Sequence, residues 1–344
     1  MGKYILKRIG LLLVTTFIII SLTFILMKLL PMPRPFGQPA EQIRYFEYQV
    51  YLGYMERITR PLKPGEKVDV IVLDGTRAYY YNHIPVMIQY FRWLGNIMFR
   101  WDWGLSTVIQ ENEPVVKIMS SRLPVSMRLN IISLIVAVPI GFVLGIIAAL
   151  QKNRPADHII STSVMIFISI PSFVFITFLL LIFAYGNRWL PSQWPGSGMP
   201  LSYRIKAYII PVGALSFGTI AGFARYTRAE LTEIMSSEFL LLARTKGLTK
   251  RQTVIRHALR NSMVPIVPMI IGQFIGILSG SMILESIYGI PGIGSLFIKA
   301  LSSKDYNVVM VDMAIFTTIG LFAGLLVDLS YGIVDPRIRM GARK

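Results

Sequence analysis

Residues 9–30 read IGLLLVTTFIIISLTFILMKLL, with Lys28 the one charge, and Lys3, Lys7 and Arg8 precede them. A helix needs roughly 20 mostly apolar residues to cross a bilayer, and this run is long enough. A secretory signal would have a shorter apolar core and a small-residue cleavage site. Here the run meets Pro31-Met32-Pro33-Arg34-Pro35 instead, so it reads as a retained anchor. Five further stretches of this kind follow, at 129–150, 159–185, 207–224, 263–284 and 308–334; the third of these is short, and the last carries Asp312 and Asp328. The expected fold is an all-α membrane protein with six transmembrane helices.

Composition agrees. The 344 residues are 53% hydrophobic and 15% charged, with a mean hydropathy of +0.56; a soluble domain carries about 25% charged residues. So few charges cannot coat a greasy globule, which excludes disorder, a fibrous repeat and an ordinary cytosolic enzyme. The net charge of +17 suits Lys- and Arg-rich cytoplasmic loops better than nucleic-acid binding, which needs a soluble basic domain. No Cys is present, so a disulfide framework, a thiolate metal site and a Cys nucleophile are all impossible.

Charge also orients the chain. With the N-terminus inside, residues 1–8, 151–158, 225–262 and 335–344 hold 17 Lys and Arg in 64 positions, against 5 in 44 for the outer loops 186–206 and 285–307. Long loops translocate regardless of charge, so 31–126 is left out. Both termini are expected to be cytoplasmic. The chain divides into residues 1–30, tail and first span; 31–126, external; 127–334, a five-span core with an inner loop at 225–262; and 335–344, a cytoplasmic tail.

Within the spans, Gly141/Gly145, Gly218/Gly222, Gly272/Gly276/Gly280 and Gly320/Gly324 recur at i,i+4. Small residues let helices approach closely in lipid. The Gly272, Gly276 and Gly280 face serves either packing within one subunit or contact with a partner subunit around a pore. The external region opens with a short helix over 39–58 whose apolar positions are Ile43, Phe46, Val50 and Tyr54. Asp74-Gly75 between two β-prone runs then predicts a hairpin over 68–81, and 89–103 mixes Trp with Arg as expected near headgroups.

Catalytic signatures are missing. His83, His158 and His257 are scattered, and the chain contains no His-Glu-x-x-His, P-loop or Gly-x-Ser-x-Gly motif. The acids Glu285, Asp312 and Asp328 lie near span ends and are expected to serve structural pairing.

The inner loop 225–262 is the most informative segment. A helix through Glu238, Phe239, Leu242, Ala243, Arg244 and Lys246 is expected to stop at Gly247, which can take the left-handed conformation. Thr249-Lys250-Arg251-Gln252 has the form of a capping box and starts a second helix. Val254, Ile255, Ala258 and Leu259 are expected on its one face, with Arg251, Arg256 and Arg260 elsewhere. Such a pair suits lipid headgroups or a groove on a cytoplasmic partner, and the glycine break favours the groove.

Ala243-Arg244-Thr245-Lys246-Gly247-Leu248, then His257-Ala258-Leu259-Arg260-Asn261 and Pro265, resemble the coupling loop of binding-protein-dependent ABC importer permeases. The resemblance is nearest to the oligopeptide/dipeptide class, the OppB/DppB-like transmembrane subunits. Arg122-Leu123-Pro124, Ile170-Pro171-Ser172-Phe173, Glu285 with Pro291-Gly292-Ile293-Gly294, Asp305-Tyr306 and Asp335-Pro336-Arg337 match in order. Departures are Leu241-Leu242 in place of the pattern's Glu-Ala, His257-Ala258-Leu259-Arg260 for Ile-x-Leu-Pro, and roughly 30 residues between Gly53 and Pro85, holding the hairpin (66–83), that look inserted.

The resemblance implies a type I importer fold and a non-enzymatic subunit that lines a translocation path with a second, homologous permease, as a heterodimer. It implies two cytoplasmic ATPase subunits, which carry the ATP and Mg, docked on Glu238, Phe239, Leu242, Ala243, Arg244, Lys246, Gly247, Leu248 and Leu259. An external substrate-binding protein would deliver the peptide, with the hairpin touching that protein or covering the pore mouth. No cofactor, metal or nucleic acid is implied for this chain beyond membrane lipid. Nickel, glutathione or another small solute is the alternative cargo, and a secondary transporter the alternative class.

Overall fold

The computed structural model describes residues 2–30, 37–63, 65–276 and 281–334. The first apolar run forms α1 (Gly2–Leu29). Among the described residues four helical stretches are long and apolar enough to cross a membrane: Ile5–Leu29, Val115–Leu150, Leu201–Met235 and Tyr306–Ser330. Two bent helix pairs bring the number to as many as six.

The helix carrying the expected 129–150 span, α4 (Val115–Leu150), begins well before it, because Val115, Ile118 and Met119 continue the apolar spacing into a buried cluster. At 36 residues it is about 54 Å long, so it projects beyond a core of about 30 Å. The expected span at 159–185 is not one straight helix. It consists of α5 (Pro155–Ser169) and α6 (Ser172–Leu179), the latter running on as π-helix to Gly186, with a bend of 101°. Proline disfavours helical backbone in the residue before it, and Ile170, before Pro171, is extended at φ −89°, ψ 118°.

The short α7 (Leu201–Lys206) leads into α8 (Ile209–Met235), which runs eleven residues past the expected end of its span. Of the expected 263–284 span, α11 (Leu259–Gly276) covers the first part, residues 277–280 lie outside the described set, and α12 (Met282–Tyr288) begins the rest. The following segment is not the outer loop expected at 285–307. It is a helical hairpin, α12 and α13 (Ile293–Ser303), bent by 88°.

Glu285 organises that hairpin. It is fully buried, accepts the Ser126 hydroxyl at 2.7 Å and the Ser295 N–H at 3.0 Å, and so ties α12, α13 and α4 together. A Cβ on Gly292 would overlap both the Glu285 carboxylate and the Ser126 hydroxyl. Asp328 pairs with Arg8 at 3.1 Å. Asp312 departs from the expected pairing: it is buried, and neither carboxylate oxygen has a hydrogen-bond partner among the described residues.

The Arg8–Asp328 pair places the start of α1 beside the end of α14 (Tyr306–Val334). At the opposite end Met27 packs with the starts of α4 and α14 around Val115 and Val308. The start of α1 and the end of α14 therefore lie at the same end of the bundle.

The region between α1 and α4 holds α2 (Pro39–Tyr51), α3 (Val86–Arg100) and a three-stranded antiparallel sheet ordered β1 (Met55–Ile58), β3 (Arg77–His83), β2 (Val70–Asp74). The helix expected over 39–58 stops at Tyr51. Gly53, at φ +75°, turns the chain into a strand the sequence reading lacked. The hairpin forms, but Asp74 pairs with Arg77, so the two loop residues are Gly75-Thr76 rather than Asp74-Gly75. Gly75 has φ +58°, and glycine at the first loop position is what a type II′ turn uses. Tyr81 is fully buried against Phe46 and donates to Glu47 at 3.0 Å.

Candidate functional site

The candidate surface lies where α8 turns into α9 (Glu238–Thr245), near the end of α4. Leu240 anchors α9 by inserting between Ala149, Leu231 and Ala258. Phe239, Leu242, Ala243 and Lys246 recur at i, i+3, i+4 and i+7, the spacing of one helix face. Phe239 and Leu242 are 46% and 58% exposed, an open apolar pair beside the exposed Glu238, Arg244 and Lys246. Leu241, which the sequence reading passed over, is 63% exposed and extends the patch.

The stop at Gly247 is a double bond pattern. Gly247 N–H donates to the Arg244 carbonyl at 3.0 Å, and Leu248 N–H to the Ala243 carbonyl at 3.4 Å. With Gly247 at φ +88°, this is the Schellman motif that closes helices on a left-handed residue. Two residues on, Thr249 N–H donates to Gln252 Oε1 at 3.0 Å, and Gln252 N–H to Thr249 Oγ1 at 3.3 Å. The expected capping box is present, and it opens α10 (Lys250–Thr253).

The chain then passes through a π-helical turn, Val254–Ala258, into α11. Val254 and Ala258 are buried, but Ile255 is exposed, contrary to the shared face expected for it. A π-turn closes one residue later than an α-turn, which swings Ile255 off the buried side. Arg251, Arg256 and Arg260 are exposed, as expected. Leu248 is half-buried, and Leu259 packs against the Leu240 cluster rather than on the open patch.

The glycine candidates separate. A Cβ on Gly272 would touch Val327 of α14 at 3.4 Å, packing within the chain; Gly280 and the surroundings of Gly276 lie outside the described residues. The close approach is at Gly141 and Gly145, where a Cβ would meet α8 backbone oxygens at 2.7 Å. Gly218, Gly320 and Gly324 face open space.

Residues 141–340 match the family described as binding-protein-dependent transport system inner membrane component. The chain belongs to this family. This inner membrane component is 35% identical over 340 residues to the dipeptide transport system permease protein DppB of Lactococcus lactis subsp. cremoris (strain MG1363), covering 99% of this chain and 100% of that one. It is 32% identical over 339 residues to the oligopeptide transport system permease protein OppB of Haemophilus influenzae, covering 98% and 100%. A solved chain of the MetNI methionine ABC transporter superposes with a TM-score of 0.51 at 16% identity, over 65% of this component and 99% of that chain. That likeness concerns the fold alone.

Proposed function

We propose that the chain is the membrane subunit of an ATP-driven importer of dipeptides or oligopeptides, driven by ATPases that dock on α9. The observation that carries this reading is the Schellman stop and capping box at 247–252, which hold Phe239 and Leu242 open while Leu240 locks α9 to the bundle. A rigid lever fixed at its base transmits a push from a docked partner into the spans, a rigid-body mode of switching. The relatives named for dipeptide and oligopeptide transport support peptide as cargo.

In this reading two ATPase subunits hold the ATP and Mg, a second homologous permease completes the path, and an external binding protein delivers peptide to the end carrying the sheet. This chain needs no cofactor and catalyses no step. Gly272, Gly276 and Gly280 serve helix packing. Both termini are cytoplasmic; a thiol at Asp74→Cys should react with an impermeant reagent from outside, and one at Lys250→Cys only after permeabilisation.

The test is Gly247→Val. Nothing crowds a Cβ there, so the cost is backbone strain, which is severe for a β-branched residue at positive φ. Membrane abundance and pairing with the sister permease should stay normal, while ATPase association weakens and peptide uptake is lost. Uptake at the wild-type level with ATPases bound would refute the proposal.

A further inference from the structure

The external helix α3 carries a face that the rest of the chain leaves open. Met87, Ile88, Phe91, Met98 and Phe99 are all exposed, Phe91 by 64% and Phe99 by 87%. At about 100° per residue they form a stripe about 120° wide. The opposite side is buried: Tyr90 and Trp93 pack on α1, with Trp93 stacked on Phe24 at 4.6 Å and the Tyr90 hydroxyl 2.8 Å from that of Ser21.

Those contacts set a depth. Ser21 lies eight residues before Leu29, about 12 Å along the α1 axis. The apolar stretch Ile5–Leu29 has 25 residues, about 37 Å, and overhangs a hydrocarbon core of about 30 Å by about 4 Å at each end. Tyr90 therefore sits about 8 Å inside the apolar layer, and the open stripe faces acyl chains. Arg92 and Arg100 line a groove between α3 and the end of α2, together with Leu52, Gly53 and Phe91. Arg92 donates to the Gly53 carbonyl at 3.2 Å, so its guanidinium is held at the groove wall.

We propose that α3 is a membrane-embedded interfacial helix in the leaflet at the C-terminal end of α1, and that its groove binds a phospholipid through Arg92 and Arg100. A helix with an apolar face in the acyl boundary and arginines at the headgroups is the general form of an interfacial anchor. Here the anchor is clamped to a span, so lipid at this site bears directly on the external region above it.

The chain has no Cys, which permits site-specific bimane labels in the assembled transporter in phosphatidylcholine–phosphatidylglycerol nanodiscs. Labels at Phe91→Cys and Phe99→Cys should be quenched by brominated lipid as strongly as one at Leu26→Cys on the exposed side of α1, and far more than one at Leu73→Cys on the exposed sheet face. Brominated phosphatidylglycerol should quench Phe99→Cys more than brominated phosphatidylcholine, with an enrichment of at least about fivefold, the contribution of a single arginine near an anionic headgroup. Arg92→Gln/Arg100→Gln should abolish that preference. Quenching by aqueous iodide, or by neither agent because protein covers the stripe, would overturn the embedding. Equal quenching by the two lipids would overturn the headgroup site.

Discussion

Arg228 grips Asp157 with two parallel bonds, Nε to Oδ1 at 2.5 Å and Nη2 to Oδ2 at 2.8 Å. The carboxylate is buried and also accepts the Asn153 N–H at 2.9 Å and the Ser161 hydroxyl at 3.2 Å. The pair ties the first turn of α5 to α8 shortly before α8 hands over to α9. Removing one partner of a buried pair costs about 3–5 kcal/mol; with a third of the Arg228 side chain exposed, about 2–3 kcal/mol is expected here. Arg228→Ala should lower the unfolding temperature in detergent more than the apolar double variant Asp157→Leu/Arg228→Leu, which strands no charge. An Arg228→Ala protein as stable as wild type would show that the pair contributes nothing.

Gly145 faces α8 so closely that a Cβ would lie 2.5 Å from the Thr227 Cβ and 2.7 Å from the Ala224 carbonyl oxygen. Backbone cannot yield as a side-chain tip does, so Gly145→Val should force α4 and α8 apart at a cost of at least about 1–3 kcal/mol. Gly324→Ala, at a position with nothing within 4 Å, should be neutral or stabilising by up to about 1 kcal/mol, the helix propensity gained. Size-exclusion thermostability measures both; equal melting of the two variants would contradict the tight α4–α8 contact.

Asp305 is fully buried, and its Oδ2 collects the Ser106 hydroxyl at 2.5 Å and the N–H groups of Thr107, Val108 and Ile109 at 3.0–3.1 Å. One carboxylate thus pins the 105–114 turn to the start of α14. Asp305→Ala strands three amide donors, part of whose loss water restores, so about 3 kcal/mol of local stability should go. Limited proteolysis should then cut within 106–112, where the wild type resists. An unchanged digestion pattern would remove Asp305 from this role.

Asp69 Oδ2 accepts the His83 N–H at 2.8 Å and lies 3.1 Å from His83 Nδ1. The backbone bond first, then the imidazole, hold its carboxyl below the usual carboxylate range. A depressed acid stabilises fully above its unfolded pKa of about 4 and loses that contribution as pH falls through the folded value. Amide protection at Tyr79–Asn82, corrected for intrinsic exchange, should be level at neutral pH and decline below about pH 4. The effect is small at so exposed a pair. Asp69→Asn should flatten the decline; a variant that keeps it would place the titrating group elsewhere.

Much of the turn at 247–252 was legible in the sequence because its determinants are local. Gly247 after Lys246 and Thr249-x-x-Gln252 act within a few residues, and both motifs formed as read. Ile255 was misplaced because a π-turn intervenes, and nothing in Val254–Ala258 announces one. The hairpin was visible in Asp74-Gly75, whereas strand Met55–Ile58 was hidden inside a helical apolar spacing that Gly53 interrupts. No sequence signal couples Asp157 to Arg228, 71 residues apart, or Asp305 to Ser106.

By itself the sequence determined that this is a polytopic helical membrane protein with a structured turn at 247–252, since apolar run length and residue chemistry act without reference to the rest of the chain. Only the tertiary structure decided where spans bend, which glycines lie at a close contact and which acids are paired. Those outcomes depend on what a distant segment brings within hydrogen-bonding distance: Ser126 for Glu285, Arg8 for Asp328, and no described partner for Asp312.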